Sequence, residues 1–150
     1  MNNIEKDIEL WAKKYFPVYE FMDLKNISSS HGIYQCFTPL SANTGNHIST
    51  IHAAFQWATA ELLGGLVVLC NRTNERYIPV VKNLHIDFLA PALTGVTSTV
   101  YFTEEDVTKM NAALENSGRY DFELKSEIRG EDDQVVSRTR GNYAVRVFEK

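Results

Sequence analysis

No run of apolar residues in this chain approaches the roughly 18 that a membrane-crossing helix needs, so a helical span is not expected. Cysteine is scarce: Cys36 and Cys70 are the only two, each in an apolar stretch without a second Cys or His at metal-ligand spacing. Both are read as reduced core residues, and no metal is expected. Basic charge is not in excess, since 15 Lys and Arg against 19 Asp and Glu leave a net charge of −4 with the cations scattered. Nucleic acid, which is bound mainly through phosphate neutralisation, is therefore not an expected partner. The opening residues, Met1-Asn2-Asn3-Ile4-Glu5-Lys6-Asp7, lack the basic region and apolar stretch of a secretory signal, so a cytoplasmic location is expected. No repeat, low-complexity tract or linker interrupts the chain, and residues 1–150 are read as one domain.

What is present is an order of elements. Ile4, Ile8, Trp11 and Tyr15, spaced by three and four, predict a helix over about residues 3–16 that ends before Pro17 and packs as a lid on the rest. After a polar stretch through Ser28-Ser29-Ser30, the run Ile33 to Thr38 predicts the first strand. A loop containing Asn43, Gly45 and Asn46 then leads to Ser49 or Thr50, predicted to cap a helix over about residues 50–63 that stops at Gly64-Gly65. That helix is apolar or small on nearly every side, so it is expected to be buried. Strands are predicted at Leu66 to Cys70, at Ile78 to Leu89 with one wet face, and at Val96 to Phe102. Thr103-Glu104-Glu105-Asp106 reads as a capping box opening a helix with Val107, Met110 and Leu114 on one face, closed by Gly118. Residues Phe122 to Phe148 form a long hairpin turning at Gly130-Glu131-Asp132-Asp133. This order predicts an α+β fold in which one antiparallel sheet curls around one buried helix.

Glu61 is the informative residue of that helix. Burying an unpaired carboxylate costs several kcal/mol, and no Lys or Arg occurs between Ile48 and Cys70 to pair with it. One reading is structural, with Glu61 reaching solvent or a distant Arg; the other is a carboxylate made more basic by apolar surroundings, acting as general base or nucleophile. At 100° per residue, His52 and Glu61 lie on opposite faces of the helix. A site that uses both the helix N-terminus and Glu61 is then most simply built from two copies, so a homodimer with shared sites is expected. The N–H groups near Ala53 and Ala54 are candidate donors to a developing oxyanion.

The pattern Asn46-x5-His52-Ala53-Ala54-x6-Glu61 resembles the Asn…His-Gly-Gly…Asp/Glu motif of hot-dog-fold acyl-CoA thioesterases of the phenylacetate-degradation type. Val80 to Leu89, followed by Pro91 and Gly95, resembles the strand of that family that ends in Phe-Leu-x-Pro. The extra helix near Glu104 to Asn116 is most similar to the thioesterase domain found C-terminal to certain bacterial acetyltransferase-like proteins. The resemblance covers roughly Ile33 to Val147. It implies a hot-dog fold and hydrolysis of an acyl-CoA or acyl carrier protein thioester. Glu61 would be the catalytic carboxylate, Asn46 would position water or substrate, the Ala53 N–H would polarise the carbonyl, and His52 would brace the loop. No cofactor is implied beyond the coenzyme A of the substrate, whose phosphates could meet Arg72, Arg76, Lys82, Arg138 or Arg140, and the assembly would be a dimer or a dimer of dimers. Two departures stand out: Ala53-Ala54 replaces the paired glycines, keeping the N–H donors but adding methyl groups, and Ser49 stands where glycine is common. They leave a non-catalytic acyl-CoA-binding dimer as the alternative. A dehydratase or hydratase is a weaker one, since His47 lies 14 positions before Glu61 without the Pro and Gly of that loop. His31, His47 and His85 are otherwise read as surface residues.

Overall fold

The computed structural model describes residues 3–149. Helices α1 (Ile4–Tyr15) and α2 (Pro17–Phe21) precede strands β1 (Lys25–Ser30) and β2 (Ile33–Thr38), and the long helix α3 (Ala53–Leu69) follows. After it come β3 (Tyr77–Phe88), β4 (Val96–Tyr101), α4 (Glu104–Ser117), β5 (Arg119–Gly130) and β6 (Val135–Val147). The six strands form one antiparallel sheet in the order β1-β2-β4-β5-β6-β3. It wraps α3, the α+β hot-dog arrangement.

The core explains the wrapping. Leu63, Leu66, Val67 and Val68 of α3 are fully buried, against Tyr34, Cys36, Val100 and Val145 of the sheet. Burial of this kind is worth about 1.5–3 kcal/mol per large apolar side chain, enough to decide which element a segment joins. It overrides the glycine stop expected at Gly64-Gly65: α3 continues to Leu69, so the strand expected over Leu66 to Cys70 is instead the last turn of the helix and its C-cap. Gly64 is required there, because a Cβ would lie 1.9 Å from the Tyr143 ring that the helix crosses. The N-cap also differs from expectation. It is His52, whose Nδ1 accepts the Ala54 N–H at 3.0 Å, while Thr50 is used to hold the preceding loop.

Two differences concern the N-terminal region. Ser28-Ser29-Ser30, read as a polar stretch ahead of the first strand, belongs to β1, an edge strand whose pairing with β2 supplies what its serine-rich sequence lacks in strand propensity. In α1 the packing face is rotated away from the apolar stripe: Ile8 packs against the core, but Ile4, Trp11 and Tyr15 are 56%, 39% and 58% exposed, whereas Glu9 and Ala12 are buried. The reason is the Glu9 carboxylate, which accepts from the Asn26 backbone N–H of β1 at 3.1 Å and from Lys6 at 2.6 Å, with Lys13 at 3.5 Å. Burial alone would raise that carboxyl; these partners outweigh it and hold it below its ordinary range.

The other termini match expectation. The Thr103–Asp106 capping box is formed at both bonds, and Gly118 closes α4 with φ +70. Pro79 is tolerated within β3 because β3 is an edge strand, and a bulge between Val81 and Asn83 interrupts its ladder. No helix among the described residues is long and apolar enough to cross a membrane.

Candidate active site

Glu61 lies in the third turn of α3, half-buried at the head of a groove of about 960 Å³. Its Oε2 accepts a hydrogen bond of 2.8 Å from the hydroxyl of Tyr19, which reaches it from α2. Burial raises the Glu61 carboxyl above its ordinary value, and the Tyr19 bond pulls the other way without cancelling it. No cation contributes, so the structural reading of Glu61 as one half of a salt bridge finds no partner among the described residues of its own chain. Tyr19 itself is 5% exposed, and burial together with the neighbouring carboxylate pushes its phenol far up, so it serves as a donor. Behind α3, the Tyr143 hydroxyl donates to the Glu61 carbonyl at 3.3 Å, fixing that turn on β6. What results is a basic carboxylate with one oxygen held and the other available.

The residues that the sequence associates with Glu61 sit at or before the N-terminus of the helix, whereas Glu61 is at its midpoint. Ala53 precedes Glu61 by eight residues, about 12 Å along the axis, and neither Asn46, His52 nor Ala53 lines the groove at Glu61. The Asn46 side chain shapes its own loop: Oδ1 accepts from the backbone N–H of Ile48 (3.1 Å) and Thr50 (3.0 Å), and Nδ2 donates to Thr50 Oγ1 at 2.8 Å. Ser49 closes that loop with φ +59, the left-handed region that favours glycine. His52 caps α3 and thereby occupies the Ala54 N–H. Of the two alanines, only Ala53 keeps an N–H without an acceptor among the described residues, exposed at the positive end of the helix dipole. Within one chain, therefore, the Glu61 carboxylate and the free Ala53 N–H do not meet.

Tyr19 was not legible as a site residue, because it is 42 positions from Glu61 and nothing in its local pattern marks it. Other polar groups of α3 are structural: Gln56 bonds Ser137 at 2.8 Å, Thr59 bonds Thr38 at 2.7 Å, and the Trp57 indole donates to the Leu84 carbonyl at 3.0 Å. His31, His47 and His85 are exposed, as expected, with His85 beside Asp87 at 2.9 Å. Of the candidate phosphate ligands, Arg72 is spent on the carbonyls of Glu75 and Tyr77, while Arg76, Lys82 and Arg138 face Glu149, Asp121 and Glu127. Both cysteines are free; Cys36 is core, and Cys70 is half-buried at the end of α3 with its thiol pushed up to about 11.

Many solved structures share the fold, and three show the likeness to this chain. One, from Pseudomonas aeruginosa, is described as a protein of unknown function and probable thioesterase: 19% identity, 95% of this chain and 96% of that chain covered, TM-score 0.85. A thioesterase from Haemophilus influenzae is 16% identical over 100% of this chain and 95% of its own, TM-score 0.78. A mutant thioesterase, also from Pseudomonas aeruginosa, is 16% identical over 95% and 94%, TM-score 0.75. No curated protein sequence matches the chain. The model of one family matches residues 25–145, from β1 to within β6, and the chain therefore belongs to the family described as a domain of unknown function, DUF4442.

Proposed function

We propose that the protein is a thioesterase that hydrolyses acyl-CoA or acyl carrier protein thioesters at sites shared between two subunits. The observation that carries this reading is Glu61: a half-buried carboxylate with raised basicity, no cation beside it and one oxygen held by Tyr19 at the head of a groove. Such a group takes a proton from water as the water oxygen bonds to the thioester carbonyl carbon. The carbonyl oxygen gains charge and is met by the Ala53 N–H of a second copy. The carbon–sulfur bond then breaks, and the thiolate leaves with the proton that Glu61 took up. A direct attack by Glu61, through an anhydride that water then hydrolyses, uses the same groups.

The two-copy arrangement is supported by the separation of Ala53 from Glu61 within one chain and by the edge strand β3, 12 residues long and open on one side. Val80 and Phe88 on it, and Ile48, Leu89 and Leu93 in the adjoining loops, are large apolar residues at least 49% exposed. The names of the fold neighbours, a probable thioesterase and a thioesterase, support the hydrolysis itself.

The test is thiol release from an acyl-CoA panel by the parent and by Glu61→Gln. A fall of at least about 10²-fold in kcat is expected on removing a general base; equal rates would refute the reading. A second reading, a dimer that binds acyl-CoA without turnover, is favoured by the methyl groups at Ala53 and Ala54, both exposed where a thioester would approach. Saturable binding of an acyl-CoA without any thiol release would establish it.

A further inference from the structure

Helix α3 contains two adjacent glycines, and only one of them is explained by packing. Gly64 makes room for the Tyr143 ring, whereas a Cβ on Gly65 would have nothing within 4 Å. A helical glycine without a packing reason is a net loss of stability compared with alanine, so its presence calls for something outside the packed core. Gly65 is one turn beyond Glu61 on the same face of α3, and Leu69 is one turn further, so the three form the floor of the groove that begins at Glu61. Trp11 of α1, Phe16 between α1 and α2, and Ile78 and Val81 of β3 line it. Arg72, Glu75, Arg76 and Glu149 contribute charged lining. The groove extends past Trp11, Leu69 and Arg72, which also line a second cavity of about 1130 Å³ between α1 and α4.

We propose that this groove is the acyl subsite, that its occupant is an extended aliphatic chain running from Glu61 over Gly65 toward Trp11, and that Gly65 is the residue that keeps it open. The inference rests on the thioesterase reading for the position of the carbonyl. From Glu61 to Leu69 the helix rises about 12 Å. With carbon–carbon bonds of about 1.5 Å, a zigzag chain advances roughly 1.25 Å per carbon, so the groove accepts about eight to ten carbons before the Trp11 passage. A single aromatic ring would fill only its first turn. The exposed apolar stripe of α1 acquires a role in the same way: Ile4, Ile8 and Trp11 face the second cavity, into which a longer chain continues.

The experiment compares the parent, Gly65→Ala and Gly65→Leu on butanoyl-, octanoyl-, dodecanoyl- and phenylacetyl-CoA, alongside calorimetry with non-hydrolysable alkyl-CoA thioethers of the same chain lengths. In the parent, kcat/KM and affinity should both increase from butanoyl to octanoyl. In Gly65→Leu the ratio of dodecanoyl to butanoyl kcat/KM should fall by about tenfold or more, with Gly65→Ala between the two. Gly65→Ala also covers the case in which leucine prevents folding, because it places a methyl group in open space and is expected to raise Tm. If no substrate releases thiol but thioether affinity still rises with chain length in the parent and not in Gly65→Leu, the groove stands and hydrolysis is refuted. Equal chain-length dependence in all three proteins overturns the groove, as does a preference for phenylacetyl-CoA untouched by Gly65→Leu. A change in native mass on substitution would show that Gly65 is a subunit contact and would overturn it as well.

Discussion

At Glu61 two influences oppose one another. Desolvation raises the carboxyl, and the Tyr19 hydroxyl at 2.8 Å favours the charged form. The base form is the active one in the proposed reaction, so the acid limb of kcat/KM should lie above the ordinary carboxylate range. Tyr19→Phe keeps the buried ring and removes only the donor, which leaves desolvation unopposed. Its acid limb is expected to move to still higher pH, with KM little changed and kcat reduced at neutral pH. A pH–rate series on both proteins checks this; coincident limbs would mean that Tyr19 does not position Glu61. The same shift carries a stability consequence. With its folded value raised, Glu61 contributes stability that is fully present below its unfolded value and is lost as pH rises through the folded one. The carboxylate is thus kept at some expense to the fold, as site residues often are.

Among the elements, α3 shows how burial decides a boundary that local propensity leaves open. Each glycine in a helix interior is unfavourable by about 1 kcal/mol, yet three consecutive fully buried residues, Leu66, Val67 and Val68, carry the helix past both. The pair offers a contrast within one turn. Gly64→Ala forces a methyl group into the Tyr143 ring and is expected to destabilise the protein by about 1–3 kcal/mol through overpacking. Chemical denaturation measures it, and an unchanged midpoint would show that the helix–sheet contact yields freely. The α1 helix is the second case. Its amphipathic pattern is correct as a helix and wrong as to its buried face, because one ionic latch, Glu9 with Lys6, Lys13 and the Asn26 N–H, fixes the rotation of the helix on β1. An apolar stripe predicts a contact, and it does not say with what.

At the scale of the whole molecule, the decisive feature is the distance between the N-terminus of α3 and its midpoint. A free N–H at Ala53 and a basic carboxylate at Glu61 are separated by about 12 Å of helix. In the proposed dimer, a twofold axis would set the Ala53 N–H of each chain against the Glu61 carboxylate of the other, twice. Ala53→Pro tests this with little damage, since proline is favoured at the first helical position and His52 has φ −61 and ψ 142, the extended conformation required before it. Ala53→Pro and Glu61→Gln are each expected to be inactive alone. After mixing and subunit exchange, half of the dimers combine the two chains, and each of these holds one intact site, which gives about a quarter of the parent activity. No recovery on mixing would place both groups in one chain or remove one of them from the reaction.

Much of this protein is legible in its sequence. Period-two alternation marks β3, β5 and β6 because each has one face against the core, β-type composition marks β2, and the isolation of Glu61 among apolar residues is visible without coordinates. The Asn46, His52 and Glu61 spacing was readable, as were the capping box at Thr103 and the αL glycine at Gly118, because these depend on neighbours in the chain. Other features depend on residues far apart: the pairing that makes a strand of Lys25–Ser30, the Tyr143 ring that requires Gly64, and the Tyr19 hydroxyl on Glu61. None has a local signature. Sequence pattern records how much of each residue must be buried, and so it determined the elements and the acid at their centre. Only the packed structure decides which distant group lies against which, and that choice set the length of α3, the partner of Glu61 and the open floor at Gly65.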